Sequence, residues 1–349
     1  MKRSLAVVVL LLAAAPATEA AAPLTPTWSQ LAPLPDREGF AYPFSGVHNG
    51  ALLVAGGANF PDKKPWEGGA KVWYDTVFVL EQPGGAWRVA GKLSRPIGYG
   101  ISLSTPEGVL CLGGSDLRGH FADAFLLRWS GGRLETRPFP ALPRPLANSC
   151  GVQVGGTIYV AGGIETPDAT AALRTFWAIE PGAKEPRWRE LEPWPGPARM
   201  LAVAGADGRA FFLFSGTSLA PDAAGKPVRT YLRDAYRWEP DAGWSRLPDL
   251  PAAAVAAPTP APVDAAGRLL VLGGDDGSLV GFTPLDRHPG FPGLIHAYDP
   301  RANTWRDAGR MPKAHVTTPT VRWGEAWIMP TGEVRPGVRS PAVWSLRVN

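Results

Sequence analysis

The sequence contains little cysteine and little charge. Cys111 and Cys150 are the two cysteines among 349 residues, so disulfide bonds cannot be the framework of so large a domain. We interpret them as buried thiols on separate strands, and a single bridge between them is the alternative. Charged residues make up 19% of the chain, which argues against a coiled coil. The net charge of +4 arises without a basic run, so we expect no nucleic-acid partner.

Long hydrophobic runs are absent except near the start of the chain. Lys2 and Arg3 precede an apolar run at residues 5–15, and small residues follow it. This order is typical of a secretory signal peptide, which we assign to residues 1–21, with a retained membrane anchor as the alternative. No later segment is apolar enough to span a bilayer, so we expect no membrane span after signal removal. The sequence therefore predicts a periplasmic or secreted mature domain, residues 22–349.

Glycine and proline, in contrast, are abundant, at 41 and 38 residues. Such a content approaches that of disordered chains. However, 45% of the residues are hydrophobic and 14 are tryptophan, which a disordered chain would lack. We therefore interpret the glycines and prolines as turn residues of an all-β fold with many short strands.

An apolar strand that ends in Gly-Gly, or in a variant of it, recurs six times. The six copies end at Gly57, Gly114, Gly163, Gly216, Gly274 and Gly332. Each repeat contains four predicted strands, and in four repeats a tryptophan stands near the start of the fourth strand: Trp87, Trp188, Trp244 and Trp305. A repeat of about 50 residues with this pattern is typical of a kelch blade. The sequence thus predicts a six-bladed kelch-type β-propeller with four-stranded blades.

The two ends of the chain fall at different points of the repeat. Residues 28–35 form a predicted outer strand with no blade before it, and residues 342–348 form a third strand with no outer strand after it. We expect the N-terminal strand to complete the last blade, because this pairing closes the ring and removes an exposed strand edge.

Loop lengths distinguish the two faces of the predicted propeller. The turns between the first and second strands of each blade are short, as at His48-Asn49-Gly50. The loops between the second and third strands are long and varied. Long loops on one face of a rigid scaffold are the usual place for a site. We therefore expect a site in the funnel formed by these loops and by the starts of the inner strands.

The last repeat replaces its Gly-Gly with Gly332-Glu333, and Arg339 follows shortly after. The intervening Pro336-Gly337 predicts a tight turn that brings Arg339 back toward Glu333. A carboxylate and a guanidinium held together on the funnel suit acid/base chemistry and anion binding. On spacing alone, a structural ion pair is the alternative.

The segment 332–339 resembles the Gly-Glu, Pro-Gly and Arg segment of the N-acetylneuraminate (sialic acid) mutarotase, or epimerase, family. Members of that family are six-bladed kelch propellers exported to the periplasm. Other stretches resemble its cyclically permuted branch, in which the Glu-containing blade lies at the C-terminus. These stretches are residues 56–61, 65–69, 146–151 and 195–199.

The resemblance implies a cofactor-independent isomerase. Its reaction would interconvert the α and β anomers of N-acetylneuraminate or a related keto-sugar acid by acid/base ring opening. Its partner would be this small-molecule sugar acid. By the same resemblance, Glu333 carries over as the proton-transferring residue and Arg339 as its essential partner.

Four further residues are candidates for binding the sugar acid. Arg199 is the second candidate, after Arg339, for gripping the carboxylate, since a guanidinium binds it bidentately; a solvated rim residue is the alternative. Asn148 is a candidate for hydrogen bonds to the sugar hydroxyls or to an acetamido group, and a turn amide already satisfied by the protein is the alternative. Tyr99 is a candidate for stacking on the sugar ring, and packing within the propeller is the alternative. Asn59 follows a Gly-Gly and is expected at the same rim.

Two other functions are compatible with this fold, because propellers host many activities. One is a non-catalytic kelch module that binds a glycan or a protein; the pairing of Glu333 with Arg339 favours the enzyme. The other is a radical-copper oxidase, which needs copper-ligating His and Tyr and a Cys–Tyr crosslink. Neither cysteine stands in a recognisable copper motif, so we set this activity aside. With the mutarotase resemblance, we expect no metal and no cofactor.

Overall fold

The computed structural model describes residues 26–348, and in this range its regular secondary structure is almost entirely antiparallel strand. The predicted signal peptide, residues 1–21, lies outside the described residues. No helix within the described range is long and apolar enough to cross a membrane. Two short 3₁₀ helices lie in loops, at Pro65–Glu67 and Leu285–Arg287.

The first half of the chain supplies fifteen strands. The chain begins with β1 (Thr27–Leu31). The first blade and its loop contain β2 (Phe44–His48), β3 (Ala51–Ala55), β4 (Ala58–Asn59), β5 (Val72–Trp73), β6 (Thr76–Leu80) and β7 (Arg88–Lys92). The second blade contains β8 (Ile101–Thr105), β9 (Gly108–Leu112), β10 (Ala124–Ser130) and β11 (Arg133–Pro138). The third contains β12 (Cys150–Val154), β13 (Thr157–Ala161), β14 (Phe176–Ile179) and β15 (Arg189–Glu190).

The second half supplies the remaining three blades. The fourth contains β16 (Val203–Ala206), β17 (Phe211–Phe214), β18 (Thr217–Pro221), β19 (Pro227–Tyr231), β20 (Ala235–Glu239) and β21 (Gly243–Leu247). The fifth contains β22 (Leu269–Leu272), β23 (Leu294–Asp299) and β24 (Thr304–Arg310). The sixth contains β25 (Val321–Trp323), β26 (Ala326–Pro330), β27 (Glu333–Arg335), β28 (Val338–Arg339) and β29 (Val343–Arg347).

Six blades form a propeller ring, as the repeats predict. In blades one to five the strands run from the axis outward in chain order, for example β2-β3-β6-β7. We call the face that carries the second-to-third-strand loops the upper face. Three of these loops fold into small hairpins, β4–β5 in blade one, β18–β19 in blade four and β27–β28 in blade six.

The first strand of the chain closes the ring. β1 pairs antiparallel with β29, from Thr27 opposite Arg347 to Leu31 opposite Val343. The sixth sheet therefore has the order β1-β29-β26-β25, with β1 outermost. The predicted closure by the N-terminal strand is confirmed.

Blade five departs from the regular pattern at its inner edge. Its sheet has three strands, and the inner segment is tied to it by the bridge Val263–Leu269 and by a hydrogen bond from the N–H of Leu270 to the carbonyl of Pro262. Pro258, Pro260 and Pro262 lie in this segment. Proline lacks an N–H group, so the segment cannot form a complete strand ladder.

The core consists of six apolar layers, one between each pair of neighbouring blades. Cys111 lies in the layer between blades one and two, and Cys150 in the layer between blades three and four. Both are buried free thiols on separate strands, as expected. Because both faces of each sheet pack against a neighbouring blade, the second strands are buried along their whole length, as in β3 and β17.

The repeated tryptophans join neighbouring blades at the outer edge. Each indole N–H donates a hydrogen bond to a carbonyl near the outer strand of the preceding blade, worth about 1 kcal/mol apiece. The pairs are Trp87 with Ala32, Trp188 with Pro140, Trp244 with Glu192 and Trp305 with Pro248, at 2.7–2.9 Å.

Candidate active site

A closed ring of six backbone hydrogen bonds forms the base of the upper funnel. In each blade, one residue ahead of the inner strand or inner segment has a positive φ, between 43° and 64°. This residue donates its N–H to the carbonyl of its equivalent in the preceding blade, at 2.6–3.0 Å. We call these residues the floor ring: Tyr42, Tyr99, Asn148, Leu201, Ala256 and Thr317. Left-handed backbone at non-glycine residues costs about 1–2 kcal/mol each. Such strain persists where the surrounding structure enforces it, and it is concentrated at functional sites.

A cleft of about 360 Å³ opens above the floor ring. Four members of the ring line it, namely Tyr99, Asn148, Leu201 and Thr317. Glu333 and Arg339 line the same cleft. The structure therefore brings together four of the six residues proposed from the sequence: Glu333, Arg339, Asn148 and Tyr99.

Glu333 owes its place to a position that repeats in every blade. The residue after each Gly-Gly, or its variant, forms a bridge with the residue just before the floor-ring position. In blade six this bridge joins Glu333 to Val316 by two backbone hydrogen bonds of 2.9 Å. The other occupants of the position are Ala58, Ser115, Ile164, Thr217 and Asp275. The backbone of Glu333 is thus fixed by the fold, and its carboxylate is presented to the cleft.

The hairpin β27–β28 holds Glu333 and Arg339 opposite each other. Glu333 Oε1 accepts one hydrogen bond from the Gly337 N–H at 2.7 Å and another from Arg339 Nη1 at 3.3 Å. Gly337 has φ of 78°, which allows the tight turn expected from Pro336-Gly337. The Glu333 side chain is 15% exposed and that of Arg339 is 4% exposed. The pair is therefore mostly withdrawn from solvent at the edge of the cleft.

The guanidinium of Arg339 is tightly enclosed. It lies over the Phe60 ring, 4.8 Å from the ring centroid. Its Nε is buried and has no hydrogen-bond partner among residues 26–348. Arg339 therefore directs Nη1 at Glu333, while its guanidinium carbon lies over the Phe60 ring.

Two cations that the sequence reasoning missed, Lys71 and Arg229, also line the cleft. Within the described part of the chain, neither forms an ion pair. Together with Arg339 they give three cations against the single carboxylate of Glu333, so the cleft favours an anionic ligand. Their one sequence signal is their position in the long upper loops, which many other charged residues share.

Tyr42 and Tyr99 are neighbours in the floor ring, with ring centroids 5.5 Å apart. Burial raises the pKa of Tyr42 above its usual range, and charge on Cys150, Tyr99 and Glu333 adds to the effect. Tyr42 therefore stays a neutral phenol beneath the cleft.

Arg199 does not line the cleft, contrary to expectation. Its side chain is fully buried, with Nη2 2.6 Å from Asp234 Oδ2 and Nη1 2.8 Å from the Ser215 carbonyl. It stands two residues before the floor-ring residue Leu201. Other blades bury apolar side chains at this position: Phe40, Ile97 and Leu146. Arg199 therefore forms a buried ion pair with Asp234 inside blade four and does not reach the cleft.

Asn59 is also withdrawn from the cleft, although the sequence placed it at the rim. It is 1% exposed, and its Nδ2 donates to the Gly39 carbonyl at 2.9 Å. Its Oδ1 accepts a hydrogen bond from the Tyr74 hydroxyl at 2.8 Å. With these partners the amide fixes the loop of blade one and is not available to a ligand.

Comparisons with known proteins point to one family. Residues 18–136 match the family model described as N-acetylneuraminate epimerase. An N-acetylneuraminate epimerase of Yersinia pestis (strain Pestoides F) is 39% identical over 110 residues, which cover 28% of this chain and 27% of that protein. One of Salmonella enteritidis PT4 is 42% identical over 108 residues, covering 27% of this chain and 28% of that protein. The chain thus spans about a quarter of the length of the curated relatives it matches.

A solved structure extends the comparison to the whole propeller. The chain described as "Structure of YjhT" has a TM-score of 0.65 and 13% sequence identity, and the match covers 92% of this chain and 100% of that one. At this identity the likeness concerns the fold. The described part of this match, residues 26–136, lies in β1 and the first two blades, whereas Glu333 and Arg339 lie in the sixth, so the two observations are independent. The N-terminal third of the chain is thus similar to N-acetylneuraminate epimerases, and the chain has a six-bladed propeller fold.

Proposed function

We propose that this protein interconverts the α and β anomers of N-acetylneuraminate or a related 2-keto sugar acid. The observation that carries the proposal is the Glu333 carboxylate, fixed on the wall of a cleft whose other charged groups are cations. The names of the relatives supply the substrate class. The cleft supplies a proton carrier and positive charge for an acidic sugar.

The reaction requires opening and reclosing of a hemiketal ring. In such an acid, C2 bears the carboxylate, a hydroxyl group and the ring oxygen. Glu333 takes the proton of the C2 hydroxyl; the bond from C2 to the ring oxygen then breaks as the C2 carbonyl forms, and the ring oxygen receives the proton from Glu333. Rotation about C2–C3 presents the other carbonyl face, and the reverse steps close the ring. A positioned proton carrier accelerates such a step about 10²–10⁴-fold.

The contacts of Glu333 divide its two oxygens between protein and substrate. Oε1 is held by the Gly337 N–H and by Arg339. Oε2 accepts no hydrogen bond from residues 26–348. Oε2 is therefore the oxygen that exchanges protons with the sugar, while the other contacts fix its orientation.

Proton NMR of freshly released α-N-acetylneuraminate tests the activity. We expect the protein to speed anomeric equilibration above the buffer rate, and Glu333→Gln to lower that gain by at least about 10²-fold. Glu325→Gln is the matched control, because Glu325 is an exposed carboxylate at the opposite end of β26 in the same blade, and it should keep the full rate. If the sugar binds without any rate gain, the protein is a non-catalytic binder.

We also propose that residues 1–21 are removed during export, so that the enzyme acts in the periplasm or outside the cell. The basic start, apolar run and small residues support this proposal. N-terminal sequencing of the protein from the periplasm or medium should find a start near Ala22. An intact Met1 on the exported protein would contradict it.

A further inference from the structure

We infer that Lys71 and Arg229 form the site that binds the substrate carboxylate, whereas Arg339 positions Glu333. The inference rests on the proposed function of the cleft as a sugar-acid site. It also changes the first expectation from the sequence, in which Arg339 itself grips the carboxylate.

The two cations come from opposite sides of the ring. Lys71 directly precedes β5 in the hairpin loop of blade one, and Arg229 lies in β19 of blade four. Blades one and four are three places apart in a ring of six. Since both side chains line one cleft, the two hairpins extend over the floor ring from opposite blades and bring their charges to a shared space.

Both charges are available to a ligand. Lys71 Nζ lies 4.9 Å from the centroid of the Tyr99 ring and 5.4 Å from that of Trp73. These contacts hold the ammonium group over aromatic faces without neutralising it. Lys64, in the same loop, instead forms an ion pair with Glu38. Within residues 26–348, Lys71 and Arg229 have no such carboxylate partner.

Arg339 is less suited to hold the substrate. Its Nη1 is directed at Glu333, its Nε is buried, and its side chain is 4% exposed. In a 2-keto sugar acid the carboxylate and the reacting hydroxyl are attached to the same carbon. The carboxylate-binding cations must therefore line the cleft of Glu333 without occupying the Glu333 carboxylate, as Lys71 and Arg229 do.

The test compares N-acetylneuraminate with its methyl ester, which has the same sugar without the negative charge. Binding is measured by calorimetry, and anomerisation by NMR. We expect the wild-type protein to bind the acid at least about tenfold more tightly than the ester. Lys71→Met and Arg229→Met should each raise KM for the acid about tenfold with little change in kcat, and the double variant should bind acid and ester alike. Lys63→Met and Lys226→Met remove exposed charges from the same two loops and should change neither value.

The outcomes separate this inference from the proposed function. Binding of the acid without turnover, weakened in the double variant, supports the carboxylate site and overturns the mutarotase proposal. Turnover with an unchanged KM in the double variant overturns the carboxylate site alone, as does equal binding of acid and ester by the wild type. If Lys63→Met and Lys226→Met raised KM as much as Lys71→Met and Arg229→Met, the effect would come from the overall positive charge, and the specific carboxylate site would be overturned. Absence of any binding of N-acetylneuraminate overturns both proposals.

Discussion

Glu333 Oε1 lies 3.3 Å from Arg339 Nη1, across a hairpin whose two strands contain only five residues. This hairpin is inserted into the upper loop of the last blade, so it sits on the funnel and outside the four-stranded sheet. The propeller fixes the backbone of Glu333 through Val316, and the hairpin fixes its carboxylate through Arg339 and Gly337. Backbone and side chain of the proposed proton carrier are thus held by different parts of the fold.

Replacing Arg339 by lysine should separate positioning from binding. Lysine keeps the charge but loses the planar set of donors that orients the carboxylate. We expect Arg339→Lys to lower kcat about 10²-fold, as displacement of a reacting group does, with little change in KM. Arg335→Lys on the same hairpin is the control, because Arg335 lies over Trp66 and does not line the cleft. A rise in KM with unchanged kcat would instead make Arg339 a substrate-binding residue.

Gly337→Ala should lower activity through the position of one N–H group. Gly337 has φ of 78°, and an added Cβ would lie 2.8 Å from Pro65 Cδ, so the turn must shift and its N–H must change position relative to Glu333. Gly208→Ala is the control, since Gly208 has φ of 88° but nothing within 4 Å of the added Cβ. Both variants should lose about 1–2 kcal/mol of unfolding free energy from the left-handed backbone. Only Gly337→Ala should lower kcat, and equal activity in the two variants would contradict the role of the Gly337 N–H.

Asn148 tests whether the floor ring serves the ligand through its side chain. Its φ is 56°, so Asn148→Gly should be about 1 kcal/mol more stable than Asn148→Ala in urea denaturation. Both variants lack the amide that faces the cleft, and we expect both to raise KM for the sugar acid to the same extent. If KM rose more in the less stable Asn148→Ala than in Asn148→Gly, the backbone of the floor ring, and not the amide, would be responsible.

Arg199→Leu should destabilise the protein without affecting the reaction. The change leaves Asp234 buried without its partner, which costs about 3–5 kcal/mol of unfolding free energy. Adding Asp234→Asn should recover part of that loss, because the remaining group is then neutral. KM and kcat of the folded protein should stay at wild-type values. A large rise in KM with unchanged stability would return Arg199 to the list of binding residues.

His315 should make the stability sensitive to acid. Burial lowers the pKa of His315 to about 4, while the unfolded chain has a value near 6.5. Between these values the unfolded state binds more protons, so the unfolding free energy falls as the pH drops from about 6.5 to 4, by up to about 3 kcal/mol. His315→Leu should remove this fall, because leucine does not titrate. Leucine also fits the position, since Leu146 is buried at the equivalent point of blade three. Urea denaturation at pH 7 and pH 4.5 measures the loss of unfolding free energy in each protein. An equal loss in the wild type and in His315→Leu would contradict the prediction.

The fold was predictable because its information is local and repeated. Each Gly-Gly strand, each short first turn and each outer tryptophan is encoded within one repeat of the sequence. The closure by β1 followed from counting strands at the two chain ends. Glu333 and Arg339 were predictable for a related reason, since both belong to one hairpin whose turn residues, Pro336 and Gly337, are adjacent in the sequence.

The remaining residues of the cleft depended on contacts between distant blades. Arg199 was expected on the rim, but the neighbouring layer buries its position, as it does Phe40 and Leu146. Lys71 and Arg229 went unnoticed because their hairpins meet only across the ring. The regular inner strand expected in blade five failed because its prolines remove the N–H groups that a ladder requires.

The sequence by itself determined the number of blades, the face that carries the long loops and the pairing of Glu333 with Arg339, because periodic apolar strands and turn residues act over short separations. The tertiary structure decided which of the many charged residues share the cleft. That choice arises from the closed ring, in which six left-handed residues bond head to tail and bring loops from opposite blades over one floor.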